Sequence, residues 1–99
     1  MLMSLEVVNS TEQFRTELCE RTGFESLVFL TEEEYDTCVV GVSLEGQVIY
    51  DEEAIRMLLQ HNHGMDAEEA RDYFDFNIAG SYIANGPVFI TVTGCRAKQ

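Results

Sequence analysis

Between residues 38 and 59 the sequence changes its hydrophobic period once, and that change restricts the fold more than any other feature. Residues 38–42 and 47–50 are rich in β-branched side chains. Between them, Ser43-Leu44-Glu45-Gly46 ends on a glycine suited to positive φ, so the stretch predicts a hairpin over about 38–50. Asp51 follows at once as a helix cap, with Glu52 and Glu53 in the first turn. Tyr50 and Ile55 occupy the positions of a hydrophobic staple, and Ala54, Ile55, Leu58 and Leu59 make an inward stripe. A hairpin that feeds a helix without a linker predicts an α+β domain.

The remaining signals extend this frame. Residues 5–8 read as a short first strand, and Ser10 with Gln13 as a capping box opening a helix over about 11–22 that Gly23 ends. Residues 26–30 form a brief apolar run, read as a buried strand. Thr31 and Glu34 repeat the capping pattern and predict one helical turn through Asp36. The second helix covers about 52–62 and stops at Gly64; Asp66 and Glu69 make a further capping box for a third over about 67–79. On that helix Ala70, Phe74, Asn77 and Ile78 fall on one face and Glu68, Asp72, Asp75 and Ala79 on the other, which predicts a buried, hydrogen-bonded Asn77. Residues 88–93 are the last strand. The expected fold is a single domain over 1–99, a short and mainly antiparallel sheet packed against three helices.

Charge carries most of the functional information. Eighteen acidic residues against six basic ones give a formal net charge of −12. Such an excess repels nucleic-acid phosphates and anionic lipids, so neither is an expected direct partner; it favours a basic protein. With 45% apolar residues, six Phe and four Tyr, the chain is equipped for a core and is unlike a disordered acidic tail. No run approaches the ~20 apolar residues of a membrane span, and the N-terminal stretch has no signal-peptide pattern. Cys19, Cys38 and Cys95 are odd in number and widely spaced, the pattern of reduced thiols. Cytoplasm is the expected compartment.

Several acids have a purely local explanation. Glu12, Asp51, Glu52, Glu53, Asp66, Glu68 and Glu69 lie at helix starts, where the dipole favours negative charge. Glu32, Glu33, Glu34, Asp36, Asp72 and Asp75 are less easily explained, because only Arg56 and Arg71 offset the acids between residues 32 and 75. A solvated face accounts for such a stretch. So does a surface that imitates the charge rows of nucleic acid and fills a basic groove. Glu32, Glu33, Glu34, Asp36, Glu68, Asp72 and Asp75 are therefore the candidate partner-binding residues, with Tyr73 and Phe76 as candidate anchors or core residues.

Catalytic and metal chemistry have little to stand on. The acid runs lack the alternating oxygen ligands and sharp glycine turn of a calcium loop. His61 and His63 could contribute to a zinc site only with distant partners, and a histidine near a helix C-terminus is favourable by itself. Cys38 opens an apolar strand and reads as core, and no phosphate-cradling glycine loop is present. No cofactor, no metal and no enzymatic activity are expected.

The landmarks Tyr35-Asp36, Val39-Val40-Gly41-Val42 and Val48-Ile49-Tyr50-Asp51 are followed by Gly64-Met65 with Glu68-Glu69-Ala70. Tyr73-Phe74-Asp75-Phe76-Asn77, Gly80 and Pro87-Val88-Phe89 complete the series. In this order the pattern, over a little more than half of the chain, resembles a group of small uncharacterised proteins of phage and prokaryotic genomes. The resemblance implies an α+β fold and a phage or mobile-element origin, and brings no activity. The first thirty residues stand outside it, and the turn at Ile83-Ala84-Asn85-Gly86-Pro87 departs from the group's more usual glycine-started version.

The expected function is a non-enzymatic, phage-type acidic interaction protein. It would cover a basic, nucleic-acid-binding surface of a host protein, with a defence or CRISPR component as the attractive class. The alternative is a homo-oligomer, a homodimer through an edge strand, whose acids serve solubility. A small enzyme or ligand-binding domain ranks below both.

Overall fold

A computed structural model of the chain describes residues 10–80 and 86–92, with side chains from Glu12 onward. The expected strand at 5–8 and the capping side chain of Ser10 lie outside these. Helix α1 (Ser10–Thr22) leads through Gly23 (φ 86) to an irregular segment, then to a 3-10 turn (Glu33–Cys38). Strands β1 (Val39–Val42) and β2 (Val48–Asp51) precede α2 (Glu52–His63) and α3 (Ala67–Tyr73). A π-helical segment (Phe74–Ala79) continues α3, and β3 (Val88–Ile90) closes the order.

The α+β expectation holds, with a three-stranded sheet in the order β1-β2-β3. β1 and β2 are antiparallel, closed by the expected turn: Gly46 has φ 88 and donates to the Ser43 carbonyl at 3.0 Å. The register slips between Val39 and Gly41, leaving Val40 bulged and exposed. β3 instead runs parallel to β2, pairing Tyr50 with Phe89. The cap at Asp51 makes this arrangement possible. Because β2 passes directly into α2, the chain returns to the sheet only after α2, α3 and the π segment, as a crossover rather than a hairpin. The sheet is therefore mixed.

The run at 26–30 is not a strand. At its end, the backbone of Leu30 is held by side chains instead of a ladder. The Leu30 amide donates to the Tyr50 hydroxyl at 2.9 Å, and the Leu30 carbonyl accepts from Arg15 Nη2 at 3.0 Å. With its single N–H taken by Tyr50, Leu30 has no donor left to offer a sheet. Nor does Thr31 cap the following turn, whose N-cap is Glu32 with no side-chain hydrogen bond.

The helix ends follow local chemistry closely. Asp51 Oδ1 accepts from the Glu53 and Ala54 amides at 3.0 and 3.4 Å, and Gly64 ends α2 with φ 70. At α3 the capping box is complete: the Glu69 amide donates to Asp66 at 2.8 Å and the Asp66 amide to Glu69 at 3.1 Å. The core gathers Tyr35, Cys38, Val48, Tyr50, Ile55, Leu59, Ala70, Phe74 and Ile78. Each large side chain fully buried there contributes roughly 1.5–3 kcal/mol. Phe89 seals it from β3, edge-on to Phe74 at 5.2 Å and tilted against Tyr50 at 5.8 Å.

Candidate interaction surface

The helical stretch from α3 through the π segment sorts its residues sharply. Ala70, Phe74 and Ile78 are buried, whereas Glu68, Asp72, Asp75 and Phe76 are exposed, Phe76 at 79% and Tyr73 at 39%. Asn77 is exposed as well, contrary to the face assigned from a regular helix. The wider i→i+5 turn explains the difference, because it brings residues four apart back into line and swings Asn77 outward. Gly80 ends the segment where space is tightest: a Cβ there would lie 2.8 Å from the Asp75 carbonyl oxygen.

The candidate acids divide into two sets. Asp36 is nearly buried and faces inward to Arg15, with Oδ1 2.7 Å from Nη2 and Oδ2 2.9 Å from Nε. Glu34 is half-buried, its Oε2 lying 2.9 Å from Nε2 of His63 at the end of α2. Both are engaged within the fold. Glu32, Glu33, Glu68, Asp72 and Asp75 are exposed and make no ion pair among the described residues. Met65, Glu69, Asp72 and the exposed Tyr73 ring a shallow hollow of about 270 Å³. One helical stretch thus presents carboxylates, a tyrosine edge and a bare phenylalanine together.

A separate cleft of about 330 Å³ opens between the 29–32 segment, the end of the π segment and the start of β3. Phe29, Ile78 and Pro87 supply apolar walls, with Glu32, Gln47 and Asn77 as polar ones. Gln47 Nε2 donates across it to the Gly86 carbonyl at 3.2 Å. Among the described residues Glu32 is the one carboxylate lining the cleft, and neither His61 nor His63 reaches it. Nothing in the linear pattern of residues signals this cleft, because its walls come from four segments far apart in the chain.

Titratable groups in the core are set by burial. Loss of water raises the Tyr35 phenol to about 12, helped by the nearby Glu34 charge. Burial also raises the Cys38 thiol and the Tyr50 phenol, the latter opposed by the Leu30 hydrogen bond. Cys38 is thereby held in its protonated, weakly nucleophilic form. Arg15 goes up through its hydrogen bonds to Asp36. Among the described residues no three His, Cys, Asp or Glu side chains cluster as metal ligands, and no helix is long and apolar enough to cross a membrane. Comparison with family models, curated proteins and solved structures found no match to any of them.

Proposed function

We propose that this protein is an acidic interaction module that covers a basic surface of a protein partner. A phage-type blocker of a host protein that grips nucleic acid, such as a defence or CRISPR component in the host cytoplasm, is the role that best suits it. The observation that carries the reading is the exposure of Tyr73 and Phe76 beside Glu68, Asp72 and Asp75 on one helical stretch. Charge alone would serve solubility. An exposed aromatic pair among unpaired acids supplies what charge lacks, desolvated anchors that hold a complex once steering has formed it. Glu32 and Glu33 add to the acidic field, while Glu34 and Asp36 contribute mainly to holding the 3-10 turn.

The test is a pull-down from host lysate at low and high salt, repeated with Asp72→Lys/Asp75→Lys. A partner retained at low salt, weakened by salt and lost on charge reversal supports the reading. Retention that ignores the reversal, or no retained protein in either condition, defeats it.

One observation favours the homo-oligomeric alternative. Among the described residues β3 pairs only with β2, and its other edge has no described strand against it, the kind of edge on which a second copy could pair. Sedimentation separates the two readings: a tight dimer that persists with Asp72→Lys/Asp75→Lys places the function in self-assembly.

A further inference from the structure

We infer that the cleft between Phe29, Glu32, Asn77, Ile78 and Pro87 seats one arginine side chain of the partner. The inference rests on the acidic-surface reading and names where the partner's anchor goes. Its volume, about 330 Å³, lies at the small end for ligand pockets and suits a single long side chain better than a cofactor. Apolar walls at Phe29, Ile78 and Pro87 fit a methylene stem, and the carboxylate of Glu32 with the side-chain oxygens of Thr31 and Asn77 can accept from a guanidinium.

Charge selects the occupant. Arg15 lies close by, with its guanidinium 4.6 Å from the Phe29 ring centre, yet it is matched by Asp36 and leaves no net positive charge. Glu32 in the lining and Glu33 next to it make no ion pair among the described residues, so the described charge they bring to the mouth is negative. Phe29 is also a ring on which the chain already places one guanidinium. Arginine is favoured over lysine because its planar fork stacks on such walls and donates in several directions at once.

The test is an amide-resolved NMR titration of the whole protein with Nα-acetyl-arginine amide, alongside Nα-acetyl-norleucine amide. Saturable shifts at Phe29, Glu32, Asn77 and Ile78 with the arginine probe are expected, with little change for norleucine and loss of most of the shift in Glu32→Gln. Glu32 is exposed, so that variant keeps the fold. Equal response to norleucine, shifts confined to Asp72 and Asp75, or no shifts would each overturn the inference. The broader reading stands apart from these outcomes, because partner capture sensitive to Asp72→Lys/Asp75→Lys survives an unresponsive cleft.

Discussion

Asp36 accepts hydrogen bonds from both Nη2 and Nε of Arg15, at 2.7 and 2.9 Å, and this forked pair ties α1 to the 3-10 turn. The same guanidinium donates to the Leu30 carbonyl and lies over Phe29. One basic side chain therefore organises the irregular segment between helix and sheet.

Removing one half of the pair should be far worse than removing both. Asp36→Ala leaves a partly buried guanidinium without its counter-ion, at a cost of about 2–3 kcal/mol in urea unfolding. Arg15→Met combined with Asp36→Leu should recover much of that loss, since apolar replacement of a poorly hydrated pair is often nearly neutral. A double variant as unstable as the sum of the singles would show that the pair is not a unit.

Two phenylalanines two positions apart should behave oppositely. Phe74→Ala empties the core beneath Phe89 and should cost about 3–5 kcal/mol. Phe76→Ala should change stability by under ~0.5 kcal/mol, as expected for an exposed side chain. In the pull-down the order reverses, with Phe76→Ala weakening partner retention while the protein stays folded.

Alkaline pH should destabilise the fold through Tyr35. Its folded value of about 12 exceeds the ordinary value of 10.0, so between these the native state holds a proton that the unfolded chain releases. The stability contributed through Tyr35 is full below pH 10 and is lost as pH rises towards 12. Tyr50 shifts in the same direction and adds to the fall. Urea midpoints measured across this window, compared with Tyr35→Phe, should show a shallower decline in the variant.

Two turn glycines should differ in how much they tolerate a side chain. Gly23 (φ 86) has open space where a Cβ would point, so Gly23→Ala meets only the backbone penalty of about 1 kcal/mol. At Gly46 (φ 88) a Cβ would lie 2.9 Å from Cε1 of Phe24. Gly46→Ala should therefore be the more destabilising of the two, and the difference should shrink in a Phe24→Ala background.

How much could be read in advance depended on how local the cause was. The caps at Asp51 and Asp66, the turn at Gly46 and the stop at Gly64 each need only neighbours within a few residues, and all were legible. The exposure of Glu68, Asp72 and Asp75 followed from helical spacing. The fate of Glu34 and Asp36 did not, because their partners, His63 and Arg15, lie 29 and 21 residues away. Arg15, one of few cations amid many acids, was the signal that could have pointed to such a clasp.

By itself the sequence determined the α+β class, the hairpin, the helix ends and the excess of negative charge, because propensity, capping and composition act over short spans. Only the tertiary structure decided that Leu30 would be held by side chains, that β3 would lie parallel to β2, and that Asn77 would turn outward. Each of these depends on which distant group satisfies a backbone hydrogen bond or fills the core. Leu30 is claimed by Tyr50 and Arg15, β3 by the far edge of β2, and the π turn keeps Ile78 in the core while Asn77 faces water.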